Sequence, residues 1–271
     1  MVTVPASTLA HYSRFSRFNS PYPAHDEGRA IDLYPDSNRG LSPVAGEVLD
    51  TRTVSAPPRP YAAAEDHLIL LDTGDHVARI LHVDPAVGAG DHVDVGDPLG
   101  EMVRSGFFAP WVDNHVHLGF RPPDANPHRA AGSLPIETPV DVHATDWDGT
   151  GVVREAGETS VHLDAPAHPS PGTWAGLAGA PGVALDGGCP HYGGGGVRPP
   201  LDGPVTVAGE RVGVAAGECV TWEDITVVAN GRPITGLSLF LARDVLGTKL
   251  VCPDHDFTVG DRVSVAVRRE R

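Results

Sequence analysis

Short runs of valine, isoleucine and leucine recur along the chain, each broken after a few residues by polar, glycine or proline positions. Such runs predict strands over 46–52, 67–72, 76–83, 114–120, 218–228, 235–241 and 262–268. Between two apolar runs, Asn230-Gly231 reads as a hairpin turn, because both residue types tolerate positive φ. Helical periodicity is nearly absent, and a brief helix is expected only over 241–246. The predicted class is all-β, an antiparallel sandwich followed by a second β-rich sandwich or barrel.

The 32 glycines and 26 prolines fit this picture of many tight turns between short elements. At 271 residues the chain is long enough for two domains. Organisation changes near residue 125, where a proline- and alanine-rich stretch begins. This places a first domain at 1–125, a linker at 126–139 and a second domain at 140–271. A breaker-rich patch over 186–202, containing Gly193 to Gly196, reads as a long loop in the second half. The four tryptophans, Trp111, Trp147, Trp174 and Trp222, are expected to pack in cores.

The formal charge of −15 repels phosphate backbones and anionic lipid surfaces, so neither nucleic acid nor a membrane is an expected partner. Lys249 is the sole lysine, and aspartate outnumbers glutamate. Together with the excess of acid, this suggests a halophilic protein adapted to concentrated salt. No apolar run is long enough to cross a bilayer as a helix, and no signal peptide is visible, so a cytoplasmic location is expected. An odd number of cysteines, Cys189, Cys219 and Cys252, argues against a disulfide framework, and Cys219 in a strand pattern is expected to be buried.

Chemistry concentrates in the first half. His115-Val116-His117 lies in a strand pattern, so both imidazoles project from one face. Upstream, His25-Asp26-Glu27-Gly28-Arg29-Ala30-Ile31-Asp32 supplies a further imidazole and a carboxylate. Two histidines and one aspartate suit zinc in its catalytic arrangement, where three protein ligands leave one position open.

These runs, with ARILHVDPAVGAGDHVDVGDPLGEM between them, resemble the lysostaphin and LytM type of zinc metalloendopeptidase, metallopeptidase family twenty-three. The resemblance covers about residues 20 to 122. It implies a LytM-like β-sandwich peptidase, puts the metal, Zn2+, on His25, Asp32 and His117, and puts His82 and His115 beside the metal-bound water as catalytic residues. The chain departs from the family in two places. Six residues separate His25 from Asp32 where three are common, a spacing that resembles the related D-Ala-D-Ala peptidases, and Gly119 stands where the family often has a carboxylate.

The expected function is therefore a zinc-dependent hydrolase that cleaves peptide or other amide bonds by attack of a metal-bound water, with histidine in place of the absent HExxH glutamate. The alternative is a non-catalytic zinc-binding module of the same fold that holds a ligand or partner. Part of the hairpin pattern also resembles lipoyl and biotinyl carriers, but no lysine is available there to carry a prosthetic group. A second metal site from Cys189, His191, Cys252 and His255 is a further, weaker expectation.

Overall fold

The computed structural model describes residues 1–269. Its regular structure is almost wholly strand, mostly antiparallel, with one-turn helices at Ala6–Leu9 and Pro23–Asp26. The all-β reading therefore holds. No helix among the described residues is long and apolar enough to cross a membrane. The chain divides into two compact units, Met1–Phe15 with Glu27–Val140, and Ser16–Asp26 with Asp141–Arg271.

The first unit is organised by one antiparallel sheet. Its strands run in the order His92–Val93, Gly46–Ser55, Glu65–Asp72, Val77–Leu81, Val116–Arg121 and Ile31–Tyr34. Register sorts its residues into rows, because residues directly opposite one another project from the same face. Ile69, Ile80, Leu118 and Ile31 form one row and Leu71, Ala78 and Phe120 the next. All are buried, and this face is wholly apolar in these rows, whereas the opposite face mixes buried Leu68, Leu70 and Val77 with polar groups. At about 1.5–3 kcal/mol for each large aliphatic side chain removed from water, these rows hold the register. A slip of one residue would turn every one of them outward. The opposite face carries the rows Leu68–Leu81–His117–Asp32, Leu70–Arg79–Gly119 and Asp72–Val77–Arg121. The polar chemistry of the unit is thus dictated by the same alternation that builds its core. Further along, Ile136–Glu137 pairs in parallel with Val2–Thr3, and the buried Arg121 guanidinium donates to the carbonyls of Arg129 and Ala130, pinning the loop between.

The second unit wraps antiparallel strands around a core that includes Leu163, Leu185, Val205, Val212, Leu237 and Leu250. The Asn230-Gly231 hairpin forms as expected, with Ala229 opposite Arg232 and φ values of 46° and 83° at the two turn residues. Trp147, Trp174 and Trp222 are buried. Three expectations are corrected. The glycine run is not a long loop, because Gly194–Arg198 is a strand paired with Val183–Cys189 and Cys219–Trp222. Its glycines are needed where the rings of Phe18 and Trp222 lie on the backbone, in the space a Cβ at Gly196 or Gly195 would occupy. The segment 241–246 is not helical; Leu241–Ala242 is extended and Ala242 pairs with Ala175. Cys219 is exposed rather than buried, because it lies on the outward phase of its strand while its neighbours Val220 and Trp222 take the inward one. All three cysteines are free.

Candidate metal centre

Asp32 and His117 sit directly opposite each other on neighbouring strands, and this pairing builds the centre. The Nδ1 of His117 lies 2.8 Å from Asp32 Oδ1, and the Nε2 of His115 lies 3.5 Å from the same oxygen. Asp32 is buried, as is His115, whereas His117 is half-buried. His25 is in the helical turn Pro23–Asp26 and is 1% exposed. Its Nδ1 faces the Arg17 carbonyl at 2.8 Å, which fixes Nδ1 as the donor and leaves Nε2 as a ligand atom. The ligand atoms of His25, Asp32 and His117 lie within 4.8 Å of one another.

These are two imidazole nitrogens and a carboxylate oxygen, a donor set and number that suit zinc with one position left open. A cation here would be held by groups that must be deprotonated to bind it, the His117 imidazole and the Asp32 carboxylate among them. This is the one such group among the described residues. Cys189, His191, Cys252 and His255 do not assemble into another: Cys252 Sγ turns to the Leu250 carbonyl and His255 Nε2 to the Gly157 carbonyl.

The expected catalytic histidines flank this group. The ring of His82 is 5.0 Å from that of His115 and 5.8 Å from that of His117, centre to centre. Plain alternation would not have put it there. His82 follows Leu81 and is in phase with Ile80, which faces the core, so a continued strand would send it inward. Instead it adopts φ of 70°, a left-handed conformation that only a few per cent of non-glycine residues take, histidine more often than most.

Asp66 holds that conformation. Its Oδ1 accepts the backbone N–H groups of His67 at 2.7 Å and His82 at 3.1 Å. Its Oδ2 accepts from His82 Nδ1 and from Ser105 Oγ, each at 2.6 Å. Burial alone would raise the pKa of Asp66, but the contacts with His82, Ser105 and the His67 amide outweigh it and hold the group below the ordinary range. The carboxylate is therefore ionised and draws the His82 proton to Nδ1.

His115 is oriented in a similar way. Its Nδ1 donates to the Asp113 carbonyl at 2.9 Å, and the Phe108 and Tyr34 rings lie at 4.7 and 5.3 Å. Burial pushes its pKa down to about 4 against the opposing pull of Asp32, so the imidazole is neutral at pH 7.

Asp66, Ser105, Phe108 and Tyr34 were not singled out from the sequence. Asp66 did carry a signal. It is in phase with Leu68 and Leu70 on one strand face, and a carboxylate in an apolar phase needs a partner. Ser105 and Phe108 lie in the loop before His115, where no periodicity predicts direction.

The chain is similar to the solution structure of lysostaphin, at 15% identity over 86% of this chain and 89% of that one, with a TM-score of 0.27. It is also similar to a structure of the antimicrobial peptidase lysostaphin from Staphylococcus simulans, at 12% identity over 96% of each chain and the same TM-score. Both likenesses are distant. No curated protein matches the chain. A family model described as "Domain of unknown function (DUF8155) N-terminal domain" matches residues 3–138, and its companion, the DUF8155 C-terminal domain, matches residues 143–268. The two matches together span nearly the whole chain, which belongs to the DUF8155 family.

Proposed function

We propose that the protein is a zinc-dependent hydrolase of amide bonds, with His25, Asp32 and His117 as the metal ligands, His82 as the group that moves a proton and His115 as a hydrogen-bonding group beside it. The observation that carries this reading is the convergence of three ligand atoms within 4.8 Å, with two further imidazoles oriented beside them by their own hydrogen bonds. Zinc, when bound, polarises a carbonyl oxygen and acidifies water.

The rest of the chemistry falls to the chain. His82 and His115 both donate through Nδ1, so each presents an unprotonated Nε2 that can accept a proton. His82 can accept one at Nε2 while Nδ1 keeps its hydrogen bond to the Asp66 carboxylate, and can then return the proton to a leaving amine. His115 has no such counter-charge on its Nδ1 side, only a carbonyl, and its burial opposes protonation. It therefore serves better as a neutral hydrogen-bonding group. The Phe107 and Phe108 rings, 6.4 and 5.1 Å from the His82 ring, limit water around these imidazoles.

The test is a metal determination on the purified chain, followed by zinc loading and a screen of quenched-fluorescent peptides, glycine-rich ones included, in molar salt. Hydrolysis that disappears in His82→Ala while zinc remains is the expected result. Stoichiometric zinc with no turnover on any peptide would instead select the ligand-holding module.

A further inference from the structure

Two rows of the same sheet face lie beyond the His117–Asp32 row, and among their buried leucine and valine side chains they hold an electrostatic anomaly. Arg79 stands opposite Gly119, and Arg121 is two residues further along the same strand, so His117, Gly119 and Arg121 share one face with Arg79 beside the glycine. Arg79 is only 8% exposed and Arg121 only 1%. The hydrogen bonds of Arg121 go to the carbonyls of Phe120, Arg129 and Ala130 and to Ser133 Oγ, none of them charged. Arg79 has no hydrogen-bond or ion-pair partner among the described residues, and its Nε is buried without an acceptor. The acids in register are engaged elsewhere: Asp50 pairs with Arg52, and Asp72 accepts the Gly74 N–H.

Two buried guanidinium groups thus lie near each other, neither of them ion-paired among the described residues, in a chain that carries 35 acidic residues. Burial, with repulsion from Arg121 added, pushes the Arg79 pKa down to about 10, which still leaves it charged at pH 7. An uncompensated buried cation costs several kcal/mol. A second cation nearby adds to that cost, and a bound anion removes it. Opposite Arg79, Gly119 presents no side chain; a Cβ there would lie in ordinary contact with Ser133 Oγ at 3.5 Å and the Arg29 carbonyl oxygen at 3.9 Å, and the backbone is not in a glycine-only conformation.

We infer that Arg79, with Arg121 near it and the side-chain-free Gly119 opposite, is a subsite for the oxyanion of a ligand, a carboxylate or a phosphate. At about 3.3 Å per residue along a strand, Gly119 lies roughly 7 Å from His117. This places the anion about two residues along an extended ligand from any group held at the metal centre. The subsite deepens the proposed function by naming the charge of its ligand, yet its own chemistry needs neither zinc nor turnover.

The test uses the full chain treated with chelator, so that no ion at His117 can hold the anion. Acetate and inorganic phosphate are titrated by calorimetry and by thermal shift at constant ionic strength. The expected result is binding that weakens at least about tenfold in Arg79→Met, as loss of a charge-assisted pair requires. Stronger binding of acetate assigns a carboxylate ligand, and stronger binding of phosphate a phosphorylated one. Equal anion responses in the wild type and Arg79→Met, or no response in either, would overturn the subsite. Neither result depends on amide hydrolysis, so the two proposals fail separately.

Discussion

Replacing Asp66 with asparagine changes one atom at the point where the fold and the candidate chemistry meet. The wild-type carboxylate accepts four hydrogen bonds, two from backbone amides at Oδ1 and two from side chains at Oδ2. Asparagine can keep its oxygen toward the two amides, which fix the left-handed backbone at His82. Its NH2 then faces His82 Nδ1 and Ser105 Oγ, which must become acceptors. The serine hydroxyl can rotate. The imidazole must move its proton from Nδ1 to Nε2.

Two charge-assisted bonds thereby become neutral ones, a loss of about 1–1.5 kcal/mol each, so Asp66→Asn should cost about 2–3 kcal/mol of stability at pH 7. The sign with pH is definite. The folded pKa of Asp66 lies below its unfolded value, so its contribution is present above the unfolded pKa and is lost as pH falls through the folded one. The difference between wild type and variant should therefore shrink in strong acid. Urea unfolding at pH 7 and below pH 4 measures this, and nitrogen chemical shifts of the His82 ring report the tautomer directly. A variant that keeps the proton on Nδ1, or that unfolds within 0.5 kcal/mol of wild type at pH 7, would refute the account of how His82 is held. With Nε2 now a donor, any hydrolysis through His82 should fall by about 10²-fold or more.

Asp32→Ala should lose the metal, since it removes the carboxylate between His117 and His115; full zinc occupancy by elemental analysis would remove Asp32 from the ligand set. Asp186, buried beside Ser16 and the Arg17 amide, has its pKa raised by burial to about 6. A folded pKa above the unfolded one makes its contribution most favourable below about pH 4, with some 3 kcal/mol lost as pH rises to 6. Subtracting the pH dependence of Asp186→Asn from that of wild type in denaturant titrations isolates this slope, and parallel curves would show that the carboxyl titrates normally. Melting temperature should rise from low to molar salt because screening relieves the repulsion within a −15 chain; a flat curve would mean that the acidic surface does not oppose compaction.

The sequence by itself determined the all-β class, the Asn230-Gly231 hairpin and the shared face of His115 and His117, because each depends only on local rules: period-two alternation and tolerance of positive φ. Motif order also singled out His25, Asp32 and His117, whose ligand atoms do converge. Where the outcome turned on what another segment supplies, local rules gave the wrong answer or none. Four glycines in a row signal a loop until Phe18 and Trp222 arrive, and then two of them, Gly195 and Gly196, are the residues that let a strand pass beneath two rings. His82 would face the core by alternation, and only the Asp66 carboxylate, received from a neighbouring strand, holds it in the left-handed turn that brings it to the other imidazoles. Arg79 reads as an ordinary strand arginine until register sets it against Gly119 near Arg121, with no ion-pair partner among the described residues. Charge and hydrogen-bond balance are properties of a neighbourhood, and neighbourhoods in a sheet are assembled by pairing between residues far apart in the chain.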